Sequence, residues 1–296
     1  ATMINHVARV MLCGCGWLGQ PLASRLISQG IKVYGTTTRT CQLSFLNELG
    51  ITPHLFSISK NSEDSPEFNP SLLADLAKCD VLVINIPPGR RDLDANSFTQ
   101  NMLRLFKTAM TQQPDVRIIF VSTTSVFGDV TGQVDEDTPT APVTASGIAH
   151  QTLEHWLLKH ASKQSTIVRL AGLINQTRHP VTSLVKRNVI EQGHQVVNLV
   201  HQIDAVNGLL QVILKWNEVV GHILHLCAPE HPTREDYYQA AAQSKQLPKL
   251  KFISNDSESI HTDVSTNEPS GKIVMSQKTQ QMLGFEYDFP SPYDML

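Results

Sequence analysis

Short β-rich apolar runs recur down the first half of the chain, and the stretches between them carry apolar residues at every third or fourth position. The runs are VARVMLC (7–13), IKVYGTT (31–37), TPHLFSI (52–58), DVLVINI (80–86), VRIIFVS (116–122) and STIVRLA (165–171). Between them lie GWLGQPLASRLISQG, TCQLSFLNELG, PSLLADLAKC, DANSFTQNMLRLFKTAMTQQ and GIAHQTLEHWLLKHASK, several of which end at Gly or Pro as helices do. A strand as uniformly apolar as DVLVINI has both faces buried, which happens in a parallel sheet covered by helices on each side. The pattern predicts a doubly wound α/β fold of the Rossmann type, with a parallel sheet.

The first run leads into CGCGWLGQPLA, where Gly14, Gly16 and Gly19 stand at G-x-G-x-x-G spacing between a strand and a helix. Glycine permits the tight turn, the approach of backbone to a pyrophosphate, and close helix–strand packing, while the helix N-terminus faces the negative charge. Gly14, Cys15, Gly16, Trp17, Leu18 and Gly19 are therefore expected to contact a dinucleotide, and a ligand-free glycine turn is the alternative. An NAD site of this kind carries an acid about 20 residues further on, which grips the ribose hydroxyls. VYGTTTRT has neither Asp nor Glu there; Thr36, Thr37 and Arg39 suit a 2'-phosphate instead. The expectation is NADP(H) in preference to NAD(H).

The 296 residues leave room for a second, smaller part. We expect a nucleotide-binding domain over 6–172, with 195–227 returning to it, and a substrate-side subdomain made of 173–194 and 228–296. Within the latter, a helix begins after Thr233, and NDSESIHTDVSTNEPSG reads as a mobile surface loop. A net charge of -3 provides no basic stripe for nucleic acid. The apolar start is broken by glycines and too short to span or anchor in a membrane. Five cysteines without a C-x-x-C spacing read as reduced thiols, so the expected location is the cytoplasm. His150, His155 and His160 are about 140° apart on a helix and give no metal face, so no metal is expected. The expected partner is a small-molecule substrate; the oligomeric state stays open between monomer and homodimer.

IIFVSTTSVFGD, followed about twenty residues later by PVTASGIAHQTLE, resembles the extended short-chain dehydrogenase/reductases, the family of sugar-nucleotide epimerases and dehydratases. VSTTSVFG is similar to the family's Ser/Thr cluster followed by V-Y-G, with Phe127 in the tyrosine place. GWLG looks like its G-F-I-G, although the first glycine of the usual motif falls on Cys13. VRLAGLI and VNLVHQID are similar to later strands. IPPG, TRHP, PTREDYY and GKIVMSQKTQQMLGFEY resemble an atypical bacterial branch, so the likeness covers nearly the whole chain.

The resemblance implies a set of stations. Active members carry Tyr-x-x-x-Lys at the start of the helix after the fifth strand; with Glu154 on the family's glutamate, Ser146 takes the tyrosine's place and His150 the lysine's. Thr123 keeps the position of the substrate-binding hydroxyl, with Ser122 before it expected to touch the cofactor and Ser125 after it the substrate. Ile86, Pro87 and Pro88 would wall the nicotinamide, and Arg90, Arg178, His179 and His201 would meet substrate. A serine hydroxyl is a far weaker acid than a phenol, but an imidazole titrates near neutrality and lies one turn away. Two readings stand: His150, with or without Ser146, is the acid/base; or Ser146 caps the helix and His150 contacts ribose or water. The acids Asp135, Glu136 and Asp137 show no pairing that suggests glycosidase chemistry, and His222 and His225 read as structural. The two functions implied are an NADP-dependent epimerase-like oxidoreductase and a catalytically inactive NADP-binding sensor or interaction protein.

Overall fold

The computed structural model describes residues 6–58, 67–87, 95–253, 260–261 and 268–296. It divides into two compact units, the first of Ala1–Gly128, Thr140–Arg169 and Val206–Leu224, the second of Asp129–Pro139, Leu170–Ala205 and His225–Leu296.

The first unit is built on β1 (Arg9–Cys13), α1 (Gly19–Ser28), β2 (Lys32–Thr37), α2 (Leu43–Glu48), β3 (Thr52–Leu55), α3 (Pro70–Leu76), β4 (Val81–Ile84), α4 (Ala95–Gln112), β5 (Arg117–Thr123) and α5 (Ala145–His160). Its seven-stranded sheet runs in the order Ile223–Leu226, Ser165–Leu170, β5, β4, β1, β2, β3. The pairs among β1 to β5 are parallel. The chain therefore starts at β1, winds outward to β3, and returns across β1 to β4, which makes the β1/β4 boundary the point where winding reverses. On one face Phe98, Met102 and Phe106 of α4 and Leu153 and Leu157 of α5 bury Leu82, Ile118 and Phe120. On the other, α1 packs through Leu22 and Leu26, and Arg25 bonds Asn207 of the helix Gln202–Leu214. Apolar burial on both faces explains why β4 has no alternation.

The second unit holds small pairs of strands: Gly172–Ile174 with Leu199–His201 and Gly132–Val134 with Lys272–Val274, both parallel, and Phe252–Ile253 with Ile260–His261, antiparallel. Its core gathers Tyr237, Ala241, Leu250, Phe252, Ile174 and Val181. Thr233 caps the helix Arg234–Ser244 by accepting from Asp236 N–H. Within the expected mobile loop, Ile260–His261 is a paired strand; 255–259 and 262–267 lie outside the described residues.

Candidate functional site

The register across the sheet fixes where chemistry can gather. Cys13 pairs with Ile84 and Ile84 with Phe120, so the carboxyl ends of β1, β4 and β5 form one row. At about 4.8 Å per strand, the row from β1 to β5 is about 10 Å wide. It includes the winding reversal, where doubly wound sheets hold their ligands.

The turn after β1 takes shape from its glycines. Gly14 has φ +94, and a Cβ there would lie 2.1 Å from the carbonyl oxygen of Asn85. Only glycine brings backbone that close in that conformation. A Cβ on Gly19 would lie 2.8 Å from the Gly14 carbonyl oxygen, whereas one on Gly16 would meet nothing within 4 Å. Two glycines thus serve packing, and the third is open on its outer side. At the N-terminus of α1, Leu18 provides no side-chain cap and the first turn has no acid. Trp17, Leu18 and Gly19 lead into a helix start without a side-chain cap, whose dipole favours an anion.

Thr36 is the fastener of this loop. Its hydroxyl accepts from Gly14 N–H at 2.8 Å and donates to Cys13 Sγ at 3.7 Å, and its carbonyl accepts from Cys15 N–H at 2.8 Å. Thr36 is buried, with its proton and one acceptor position already used inside the loop, so its part in holding a ligand is indirect. Thr37 Oγ1 accepts from the N–H of Arg39, and Arg39 is exposed at the end of β2. Burial pushes the Cys13 thiol up to about 12, partly offset by the Thr36 hydrogen bond, and pushes Cys15 to about 12, so both are inert thiols at neutral pH. Ile86 is half-buried and Pro87 exposed beyond β4, while Pro88 and Arg90 lie outside the described residues.

At the end of β5, Thr123 Oγ1 accepts from Ser125 N–H at 3.1 Å and keeps its own proton to donate. The turn Thr124–Phe127 packs tightly on the start of α5: a Cβ on Gly147 would lie 2.9 Å from the Ser125 carbonyl oxygen. The cap of α5 is Thr144, whose hydroxyl accepts from Gly147 N–H at 3.0 Å. Ser146 therefore does not cap the helix; it is the second residue inside it. His150 does lie one turn on, but its Nδ1 bonds the Ser146 carbonyl at 2.8 Å rather than the hydroxyl. A carbonyl only accepts, so Nδ1 carries the hydrogen and Nε2 the lone pair; Nε2 has no hydrogen-bond partner among the described residues. His150 is 5% exposed, with its ring stacked on Phe120 and close to Phe98. Burial lowers the His150 pKa, with the Ser146 carbonyl and the charge of Glu154 acting in the opposite direction.

Ser122, expected to touch cofactor, instead donates its hydroxyl to Glu154 Oε2 at 2.6 Å. Glu154 is also ion-paired with Arg169 at 2.6 Å, both fully buried, and the Arg169 guanidinium lies 5.0 Å from the Phe127 ring centroid. Sequence reasoning used Glu154 only as a marker and missed this cluster, for which an acid on the inner face of a helix was the available clue.

The residues expected to meet substrate from the second unit divide. Arg178 is exposed. His179 is buried: its Nδ1 accepts from Val181 N–H and its Nε2 meets Tyr237 Oη at 2.7 Å. With both nitrogens engaged and burial pushing its pKa down to about 4, it is a neutral strut rather than an anion ligand. His201 stacks on Phe289 with centroids 3.9 Å apart, and its Nδ1 accepts from Ile203 N–H. His225 is fully buried, as a structural residue is, whereas His222 is exposed just before its strand. The acidic loop is tied down by partners other than carboxyl groups: Glu136 accepts from Thr279 N–H and Oγ1, and Asp137 meets Lys278. Among the described residues no helix is long and apolar enough to cross a membrane.

Known proteins are similar to this chain in sequence or in fold. Protein YeeZ of Escherichia coli (strain K12) is 33% identical over 293 residues, covering 97% of this chain and 98% of its own. A conserved protein of unknown function from Silicibacter pomeroyi superposes with a TM-score of 0.72 at 22% identity, over 97% of this chain and 96% of that one. UDP-glucuronic acid 4-epimerase from Bacillus cereus, solved in complex with NAD, superposes with a TM-score of 0.72 at 17% identity, over 97% and 93%. These structural likenesses carry the fold alone. The pattern of one family matches residues 10–227, the stretch containing the glycine turn, the end of β5 and α5, and by that match the chain belongs to the NAD dependent epimerase/dehydratase family.

Proposed function

We propose that this chain is an NADP(H)-using, epimerase/dehydratase-like oxidoreductase that acts on a small polar substrate of the sugar-nucleotide class. The observation that carries the reading is the row at the carboxyl edge of the sheet: an open Gly16 beside an uncapped α1 at one end, Thr123 at the other. The N–H groups of Trp17, Leu18 and Gly19 would hold the pyrophosphate, Arg39 the 2'-phosphate, and Ile86 and Pro87 the nicotinamide side. A nicotinamide bound there would supply hydride acceptance and return.

The chain's own residues do the rest. Thr123, with its oxygen anchored by Ser125 N–H, aims its proton at a substrate oxygen. His150 holds its Nδ1–H on the Ser146 carbonyl, which leaves Nε2 as the nitrogen that takes up and returns a proton. Burial keeps the ring neutral, the form a base needs. Membership of the NAD dependent epimerase/dehydratase family supports the reaction class.

A second reading, a catalytically inactive NADP-binding sensor, is favoured by one observation: His150 engages the Ser146 carbonyl and so does not activate its hydroxyl. A panel of nucleotide sugars and small carbonyl compounds separates the two. The enzyme reading expects turnover of at least one compound, falling about 100-fold or more in His150→Gln and Thr123→Val. Turnover untouched by Ser146→Ala with His150→Gln rules out the mechanism, and cofactor binding without any turnover establishes the sensor.

A further inference from the structure

The cluster Ser122–Glu154–Arg169–Phe127 does more than fill the core, because of what stands next to each member. Ser122 precedes Thr123 on β5. Glu154 lies one helical turn after His150 on α5. Phe127 closes the turn that begins after Thr123, and Arg169 reaches both Phe127 and Glu154 from the neighbouring strand. The bonds are short and out of water: Ser122 Oγ to Glu154 Oε2 at 2.6 Å, Arg169 Nη2 to Glu154 Oε1 at 2.6 Å, with Arg169 Nε at 3.1 and 3.2 Å from the two oxygens. Charged groups this deep are costly to desolvate and keep their place only when fully bonded.

We infer that Glu154 is a positioning residue: by tying α5 to β5 through Ser122 and to the turn 124–127 through Arg169, it sets His150 and Thr123 in fixed relation to each other. This rests on the reading of those two residues as the working pair. Glu154 has a second effect on the same residue, since its charge favours the protonated form of His150; the other influences are the Ser146 carbonyl and burial between Phe98 and Phe120.

The test needs variants that fold. Glu154→Met alone strands a buried cation, so Glu154→Met is combined with Arg169→Met, an exchange that buried ion pairs often tolerate. Ser122→Ala separately cuts the tie to β5 and leaves both charges in place. In the full-length double variant the NMR titration of His150 should move to lower pH. In Ser122→Ala, amide hydrogen exchange should accelerate about tenfold in both 122–127 and 146–154, the factor one lost hydrogen bond supplies. A His150 midpoint unmoved in a folded double variant, or faster exchange confined to one of the two segments in Ser122→Ala, overturns the inference. If the double variant does not fold, the exchange measurement decides alone. Both readouts are independent of turnover, so a His150→Gln variant of full activity would remove the proton-handling role of His150 without touching them.

Discussion

His150 Nδ1 lies 2.8 Å from the carbonyl oxygen of Ser146, one turn behind it on α5, so the imidazole is held by backbone and not by the serine hydroxyl. The bond selects the tautomer with hydrogen on Nδ1. A 15N spectrum of the neutral imidazole should therefore show His150 protonated at Nδ1, and Ser146→Ala should leave it so. A ring protonated at Nε2 would contradict the geometry.

The glycine turn predicts a division of effects. Gly14→Ala forces a Cβ onto the Asn85 carbonyl at φ +94 and should lower the melting temperature strongly or prevent folding. Gly16→Ala meets no protein atom within 4 Å, so it should fold with an unchanged melting temperature and lose dinucleotide affinity. Thermal melts with and without NADPH read both.

The cap of α5 gives a paired comparison. Thr144→Ala removes the hydroxyl that accepts from Gly147 N–H and should cost about 1 kcal/mol, roughly 2–4 °C for a chain of this size. Ser146→Ala, inside the helix, should cost clearly less.

How far all this could be read from residue order depends on range. DVLVINI became Val81–Ile84 and VRIIFVS became Arg117–Thr123 because burial on both faces leaves an unbroken apolar signature. The turn at Gly14 was legible because its geometry is local and its spacing fixed. Glu154 with Arg169, fifteen residues apart, and Glu136 with Thr279, 143 apart, have no such signature: one acid pairs with one distant group, and nothing in its neighbours announces it. For the same reason a loop reading could not tell that His179 turns inward to Tyr237 while Arg178 beside it stays exposed. The strand pairs of the second unit are two or three residues long, too short for alternation to register.

His179 also predicts a pH dependence. Burial depresses its pKa from 6.5 to about 4, so the folded protein holds it neutral while the unfolded chain protonates it. Its stabilisation is complete above 6.5 and is lost as pH falls toward about 4, by at most about 3 kcal/mol. Urea unfolding across that window should show the loss, and His179→Gln should flatten it; equal pH profiles would contradict the burial of the ring.

The central claim is a dinucleotide held at the turn after β1 with its 2'-phosphate at Arg39, and calorimetric titration of NADPH and NADH into the wild type and Arg39→Ala tests it most directly. The account predicts tighter binding of NADPH to the wild type and the loss of that preference in Arg39→Ala, with NADH affinity unchanged. Equal affinities for the two nucleotides in the wild type, or a preference that survives Arg39→Ala, would contradict it.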